Sequence, residues 1–244
     1  MNEKNELKEY IESNLTSRFD KFITIKDTEK SKIFVFRHRE SGNLILERIS
    51  TNRNDEVFRL LKNKSHSNLV DILEVCSDEN YLIVLEKFIV GKSLLKLIDI
   101  GSINSKQACR YAYQICDALS FLHNNGIIHR DIKPSNIIID NNGNAVLLDL
   151  SIARMISEKE EKDTATLGTI GYAAPEQFGL SQSTKATDIY SLGVLLNIMI
   201  TGVHPTISIP KGKICRVIKK ATATQISERY QNAEQMKKAL KNFI

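Results

Sequence analysis

A short segment of the chain carries residues whose types and spacing suit phosphoryl transfer. Residues 129–136 read His-Arg-Asp-Ile-Lys-Pro-Ser-Asn, and Asp149 follows Asn136 by thirteen positions. This chemistry needs a carboxylate that takes the proton of the acceptor and hard oxygen ligands that hold a divalent cation. Asp131 suits the first role, and Asn136 with Asp149 suits the second. Lys133, two residues from Asp131, supplies a cation for the moving phosphoryl group.

The elements before this segment are expected to form a small antiparallel sheet. An amphipathic helix is predicted over residues 2–14, and a second helix over 55–62 with Asn54 as its cap. Runs of branched and aromatic residues predict five strands, over residues 22–25, 33–37, 44–49, 69–76 and 81–86.

The elements after residue 92 follow a different, mainly helical pattern. Apolar residues recur at helical spacing from 104 to 123, and further helices are predicted over 187–201 and 229–242. A short hairpin is predicted over 136–148. We therefore expect an α+β fold, with a β-rich first lobe, a helical second lobe and a boundary near residues 87–92.

Composition and charge exclude several functional classes. The 244 residues carry a formal charge of +5, and no basic block with interleaved aromatic residues predicts nucleic-acid binding. The four cysteines form no Cys-x-x-Cys pair, which argues against a zinc site or a disulfide framework and favours a reducing compartment. No apolar run is long enough for a membrane span, and the charged N-terminus is unlike a signal peptide. We expect a cytoplasmic protein, whose oligomeric state the sequence leaves open.

Four motifs together resemble those of the eukaryotic-like Ser/Thr protein kinases, in a resemblance that spans roughly residues 20–243. Residues 129–136 resemble the catalytic loop, with Lys133 typical of Ser/Thr rather than tyrosine kinases. Residues 149–151 resemble a variant of the Asp-Phe-Gly motif. Residues 168–176 resemble the end of the activation segment, and residues 188–193 resemble the start of the buried central helix.

The resemblance implies a bilobal protein kinase-like fold. Residues 1–19 would be an N-terminal helical extension, residues 20–87 the N-lobe and residues 88–244 the C-lobe of one kinase domain. The implied reaction transfers the γ-phosphoryl group of ATP, with Mg²⁺, to a Ser or Thr hydroxyl of a protein substrate.

Particular contacts and roles also follow from the resemblance. Thr169 would bond Asp131 and Lys133, and Glu176 would pair with Arg229. His129 is interpreted as a structural residue.

The resemblance also implies a nucleotide-binding set. Leu85 would stand at the gatekeeper position, and the backbone of Glu86 and Phe88 would bond the adenine edge. The base would be sandwiched by aliphatic side chains, each of which alone is better explained as ordinary core: Ile25, Ile33, Leu85, Ile138 and Leu148.

Three departures from the family pattern affect the nucleotide side. No glycine lies between Thr16 and Ser41, where the family has its Gly-rich loop. Lys26, Lys30 and Lys32 crowd this segment, and either reach the phosphates or are solvated.

The cation of the third strand is also changed. Arg48 takes the place of the family's lysine. Leu46 takes the place of a small residue and would crowd the adenine slot. A slip by one residue would put Glu47 there instead of Arg48. Glu56 is the candidate for the glutamate that pairs with this cation, and that pair is either functional or plainly structural.

Ser151, which replaces the glycine after Asp149, is the third departure.

Three functions remain open at this point: an active Ser/Thr kinase with an atypical nucleotide grip, a pseudokinase that acts as a binding or regulatory module, and a small-molecule kinase of related fold. Residues 168–176 argue against the third. If the chain is regulated by phosphorylation, Thr164 or Thr166 would be the site and Arg130 the partner of its phosphate.

Overall fold

The chain divides into two compact units, which we describe separately. A computed structural model describes residues 6–51, 55–156, 168–179 and 182–244. The first unit comprises the chain up to His66 together with Val70–Ile89, and the second comprises Ser67–Leu69 together with Val90–Ile244. The predicted α+β class is confirmed, whereas the predicted domain limits at 19/20 and 87/88 stay a prediction.

The first unit is a five-stranded antiparallel sheet with two helices. Its elements in chain order are α1 (Glu6–Arg18), β1 (Phe19–Asp27), β2 (Ser31–His38), β3 (Leu44–Ser50), α2 (Asp55–Leu61), β4 (Ile72–Ser77) and β5 (Leu82–Lys87). The strand order is β1-β2-β3-β5-β4, so β3 lies in the middle. All five predicted strands are present, with shifted ends, while Asn54 lies outside the described residues.

One face of this sheet is covered by α1. Ile11 and Leu15, four residues apart on the helix, pack against Phe34, Ile49 and Ile83 of the strands. We call this side of the sheet the α1 face. The helix predicted over residues 2–14 is therefore part of the first unit, and its described part runs on to Arg18.

The strand register assigns the neighbouring residues to the opposite side of the sheet. Ile33, Arg48 and Val84 are direct cross-strand neighbours, as are Leu46 and Glu86. Because successive strand residues point to opposite faces, all five lie on the side away from α1. We call this side the Arg48 face.

The second unit is mainly helical. Its elements in chain order are β6 (Gly91–Ser93), α3 (Leu94–Asp99), α4 (Ser105–Asn124), β7 (Ile127–Ile128), β8 (Ile137–Asp140), β9 (Ala145–Leu147), β10 (Arg154–Met155), α5 (Lys185–Thr201), α6 (Ile214–Ala221) and α7 (Ala233–Leu240). The small sheets β6-β8-β9 and β10-β7 carry the loops of the candidate site. Helix α4 packs against α5 and α7 to form the core.

Capping side chains explain where the main helices of this unit begin. Asn104, the first residue of the range predicted as helical, caps α4 through a reciprocal pair of hydrogen bonds with Gln107. Asn232 caps α7 by accepting from the backbone N–H of Gln235 at 3.0 Å. The helix predicted over 229–242 therefore begins later than expected, at Ala233.

Two short helices, α3 and α6, were not predicted. Helix α6 has eight residues, and its N-cap position holds Lys213, which makes no side-chain capping bond. A segment of this length with no start signal does not stand out from a loop.

Among the helices of the described ranges, each is too short or too polar to cross a lipid bilayer.

Candidate active site

Three side chains of the second unit meet around one carboxylate, that of Asp131. The hydroxyl of Thr169 donates to Oδ1 of Asp131 at 2.8 Å. Nζ of Lys133 lies 2.6 Å from Oδ2 of Asp131, and Nδ2 of Asn136 donates to the same oxygen at 2.9 Å. Lys133 also donates to the Thr169 hydroxyl at 2.9 Å. The two contacts that the sequence implied for Thr169 are therefore both present, and they fix the direction of the Asp131 carboxylate.

The loop that carries Asp131 is held by the buried carboxylate of Asp188, at the start of α5. Asp188 accepts from the backbone N–H groups of His129 at 3.0 Å and Arg130 at 2.8 Å, and it pairs with Nε2 of His123 at 2.8 Å. Burial by itself would raise the pKa of Asp188, but the hydrogen bonds from His123 and His129 lower it below its ordinary value. Asp188 is thus a charged anchor beneath the loop.

His129 has a structural environment, in agreement with its interpretation from the sequence. The residue is fully buried. Its Nδ1 accepts from the backbone N–H of Asp131 at 3.3 Å, so Nε2 carries the proton and donates to the carbonyl of Leu148 at 3.0 Å. The imidazole therefore connects the Asp131 loop to the chain that leads into Asp149.

The backbone is strained next to both proposed carboxylates of the site. Arg130 has φ 67° and Asp149 has φ 62°, a left-handed conformation that costs non-glycine residues about 1–3 kcal/mol. Neighbouring contacts hold the strained positions. Gln177 donates to the Arg130 carbonyl at 2.8 Å, and Nε of Arg130 donates to the carbonyl of Ile152 at 2.7 Å. The backbone N–H of Ser151 lies 3.3 Å from Oδ1 of Asp149.

The donor set at Asn136 and Asp149 fits a magnesium ion. Nδ2 of Asn136 also donates to the backbone carbonyl of Asp131 at 3.0 Å, so the amide presents its oxygen for other contacts. The backbone N–H of Leu148 donates to the Asn136 carbonyl at 2.8 Å and brings the next residue, Asp149, alongside. The described residues contain no cluster of three or more His, Cys, Asp or Glu side chains that would hold a metal alone. One carboxylate and one amide oxygen match the way Mg²⁺ is held together with substrate phosphates.

A second ionic contact, at the end of the 168–179 segment, confirms the predicted pair. The Arg229 guanidinium binds Glu176 through two bonds of 2.7 and 2.9 Å, and the Thr187 hydroxyl donates to Glu176 at 2.8 Å. Both charged side chains are almost fully buried. This bidentate pair fixes the end of the segment that begins near Thr169.

The first unit gives Arg48 a partner that the sequence did not predict. Nε of Arg48 lies 3.3 Å from Oε1 of Glu86, and the two side chains are 11% and 4% exposed. The predicted partner, Glu56, is exposed on α2 and forms none of the ion pairs within the described ranges. The predicted Arg48–Glu56 pair is therefore wrong. The alternative register is also excluded, because Glu47 lies on the α1 face.

Leu85, the predicted gatekeeper, also lies on the α1 face. It is the direct cross-strand neighbour of Glu47 and packs against the cluster under α1. Its predicted place beside Ile33 is wrong, because adjacent strand residues point to opposite sides of the sheet. The side chain that β5 presents next to Leu46 on the Arg48 face is that of Glu86.

The other predicted nucleotide contacts keep partly accessible positions. Ile25, on the edge strand β1, is 54% exposed, while Ile33 and Leu46 are half-buried on the Arg48 face. Ile138, on β8, and Leu148, after β9, are half-buried in the second unit. The backbone N–H of Phe88 makes a long 3.4 Å contact to the carbonyl of Leu44.

The β1–β2 hairpin is closed without glycine. The backbone N–H and the hydroxyl of Thr28 both donate to the carbonyl of Ser31, at 3.0 and 2.9 Å. Lys32 pairs with Asp27 at 3.1 Å, while Lys26 and Lys30 are exposed. A side-chain hydroxyl therefore does here what a glycine-containing turn does elsewhere.

The remaining prediction for this site concerns phosphorylation. Thr164 and Thr166, its candidate positions, lie outside the described residues.

Comparison with known proteins matches most of the chain to one family model. The model of the protein kinase domain matches residues 19–244. Serine/threonine-protein kinase PrkC of Bacillus subtilis is 32% identical over 201 residues, covering 72% of this chain and 31% of PrkC. A probable serine/threonine-protein kinase of Dictyostelium discoideum is 31% identical over 198 residues, covering 80% of this chain and 29% of the relative.

A third relative matches a shorter part. A probable serine/threonine-protein kinase of Clostridium acetobutylicum is 38% identical over 143 residues, covering 58% of this chain and 22% of the relative. The chain thus spans about a third or less of the length of these curated relatives.

Proposed function

The chain belongs to the protein kinase family, and from this premise we propose that it transfers the γ-phosphoryl group of ATP to a Ser or Thr hydroxyl of a protein substrate. The observation that carries the proposal is the network around Asp131, which Lys133, Asn136 and Thr169 bond at 2.6, 2.9 and 2.8 Å. All three partners hold one carboxylate in one direction, which is what the positioning of an acceptor hydroxyl requires.

In this proposal Asp131 accepts the proton of the substrate hydroxyl as that oxygen attacks. Thr169 and Asn136 keep the carboxylate aimed, and Lys133 offsets the negative charge that develops on the transferred group. Lys133 also supports Ser or Thr as the acceptor, because lysine at this position is typical of that class of the family.

Asn136 and Asp149 would hold Mg²⁺ through one amide and one carboxylate oxygen. When bound, MgATP supplies the electrophilic phosphoryl group and a metal charge that eases its transfer. The strained backbone at Asp149 (φ 62°) is the local cost of presenting that carboxylate.

On the nucleotide side we propose Arg48 as the cation for the phosphates. Apolar contacts to the base would come from Ile25, Ile33, Leu46, Ile138 and Leu148, and backbone bonds from Glu86 and Phe88. Leu85 is left out because it lies on the α1 face.

A regulatory or scaffolding role without catalysis is the second candidate, and two specific observations favour it. The side chain on β3 that should meet the phosphates is an arginine bound to the buried Glu86. In addition, Thr28 takes the place of glycine in closing the β1–β2 hairpin. Both features lie at positions where the family binds the nucleotide. A pseudokinase with these changes would retain the fold and bind a partner with little or no phosphoryl transfer.

Phosphoryl transfer itself separates the two candidates. The protein is incubated with labelled ATP, Mg²⁺ and a generic basic protein substrate, beside Asp131→Asn and the matched control Asp99→Asn, an exposed position on α3. We expect Asp131→Asn to lower transfer by about 10²- to 10⁴-fold and the control to leave it unchanged. If the unaltered protein transfers no more phosphate than Asp131→Asn, the result supports the scaffolding role and contradicts the kinase function.

A further inference from the structure

We propose that Glu86 is the residue that positions Arg48 for the nucleotide phosphates, in place of a glutamate on α2. This inference rests on the proposed function, because it concerns how ATP is held. Its consequence is that the phosphate-binding cation is a fixed part of the sheet, whose setting does not depend on where α2 lies.

The register of the sheet places the side chains of Arg48 and Glu86 within reach of each other. Arg48 lies directly opposite Val84, and Glu86 is two residues further along the same strand, on the same face. Such diagonal neighbours are about 7–8 Å apart at the backbone, a distance that long side chains span. The observed contact of 3.3 Å between Nε and Oε1 is therefore the expected result of β3–β5 pairing.

The surroundings of Glu86 favour a contact with a cation. Its direct neighbours across the strands are Leu46 on β3 and Ile72 on β4, both apolar. The Glu86 side chain is only 4% exposed. A carboxylate in such a place needs a cation, since burying it alone is strongly unfavourable. Glu86 and Arg48 therefore hold each other.

Helix α2 directs its own polar contacts elsewhere. Asp55 accepts from Nε of Arg59 and from the hydroxyl of Ser77 on β4, both at 2.8 Å. The hydrogen bond from Arg59 is the main cause of the lowered pKa of Asp55. Glu56, the neighbour of Asp55, is exposed. The ion pair of α2 thus lies within the helix and its hydrogen bonds run to Ser77 of β4, whereas Arg48 on β3 pairs with Glu86.

A guanidinium suits this arrangement better than an ammonium would. It carries five N–H donors in a rigid fork, so a bond through Nε orients the group and still leaves it suited to phosphate oxygens. In protein kinases generally, the cation of this strand is set by a glutamate of the neighbouring helix, and the position of that helix controls activity. The Arg48–Glu86 pair replaces this movable contact by a contact between two strands of one sheet.

The test measures nucleotide affinity, because affinity does not require catalysis. Binding of MgATP is followed by calorimetry for the unaltered protein, Glu86→Gln, Glu56→Gln and the charge swap Arg48→Glu/Glu86→Arg, with unfolding temperatures measured in parallel. We expect Glu86→Gln to weaken binding by about tenfold or more, and Glu56→Gln to leave it unchanged. The swap keeps an ion pair between β3 and β5 but moves the cation to β5, so its unfolding temperature should exceed that of Glu86→Gln while its affinity is lost.

Three results would overturn the inference. One is a loss of affinity in Glu56→Gln with none in Glu86→Gln. Another is nucleotide binding by the swap as tight as that of the unaltered protein, which decides the matter even where Glu86→Gln fails to fold. The third is absence of MgATP binding by the unaltered protein. That result alone also removes the proposed kinase function, whereas the first two leave it intact.

Discussion

The amide nitrogen of Asn136 lies 2.9 Å from Oδ2 of Asp131, so one side chain connects the proposed base with the proposed metal ligand. The nitrogen of the amide steadies Asp131, and its oxygen remains for Mg²⁺. The two proposed roles therefore depend on a single orientation of Asn136, and a change there should affect both.

Asn136→Asp would place a second carboxylate against Asp131. Like charges at this distance raise the pKa of one member of the pair, and the amide donor is lost at the same time. We expect phosphoryl transfer to fall by about 10²-fold or more and its acid limb to move to higher pH, measured as kcat/KM against pH. Asn142→Asp, in the exposed turn between β8 and β9, is the control that adds the same charge and should leave the profile in place.

Arg48→Ala would remove the guanidinium that lies 3.3 Å from the buried Glu86 carboxylate. Removing one partner of a buried pair destabilises by about 3–5 kcal/mol, whereas replacing both by apolar residues of similar size is often neutral. We expect urea unfolding to show a large loss for Arg48→Ala and near recovery for Arg48→Met/Glu86→Leu. Equal losses in both variants would mean that the buried charge of Glu86 does not depend on Arg48.

Acid unfolding should depend on Asp188. Its pKa lies below the ordinary value of 3.8 in the folded protein and returns to that value on unfolding. The unfolded state therefore binds the proton more readily, so the stability from this group is complete above the ordinary pKa and is lost as the pH falls through the folded pKa. Urea unfolding measured at descending pH should show a shallower acid limb for Asp188→Asn than for Asp99→Asn, although Asp188→Asn is the less stable protein at neutral pH.

Thiol modification should separate the cysteines by burial. Burial raises the pKa of Cys109 to about 11 and that of Cys116 further, and it also raises the pKa of the partly exposed Cys76. Since the thiolate is the reacting species, Cys109 and Cys116 should react with Ellman's reagent near neutral pH only when the protein unfolds. Mass spectrometry after alkylation in the native state and in urea identifies each site. Rapid native labelling of Cys116 would contradict the packing of α4.

Gly193 should not tolerate a methyl group. A Cβ at this position of α5 would lie 2.6 Å from Cβ of Ala221 and 2.9 Å from Cγ2 of Thr222. Gly193→Ala is therefore expected to lower stability by about 1–3 kcal/mol, measured by urea unfolding, although alanine is the better helix former. The double variant Gly193→Ala/Ala221→Gly removes the closer clash and should recover part of the loss.

The candidate residues of the second unit could be predicted because they are close in sequence. Asp131, Lys133 and Asn136 lie in one loop, and their types limit the chemistry to a few choices. The pair of Glu176 and Arg229 was predicted only through the family resemblance, since no local signal joins residues so far apart. The contact of His123 with Asp188, the residue that holds the loop, was not predicted, because a histidine at the end of a helix gives no sign of its partner.

The first-unit side was predicted less well because strand faces are hard to read from sequence. A shift by one residue exchanges the two faces of a strand, and β5 is apolar on both faces from Leu82 to Leu85. The residue pattern of β5 therefore favours neither Leu85 nor Glu86 as the neighbour of Leu46. The partner of Arg48 was also predicted wrongly. Glu56 on α2 is the predicted partner, whereas the β3–β5 register places Glu86 on the same face as Arg48.

The grip of Asp188 on the backbone of His129 and Arg130 has a consequence for hydrogen exchange. These two amide protons point at a fully buried carboxylate of α5 and not at solvent. They can reach water only when the start of α5 separates from the loop, so their exchange rates report that opening. The exchange rates of these two amides, beside the proposed base, would thus measure how often the second unit opens at this point. The measurement can be made with or without bound nucleotide.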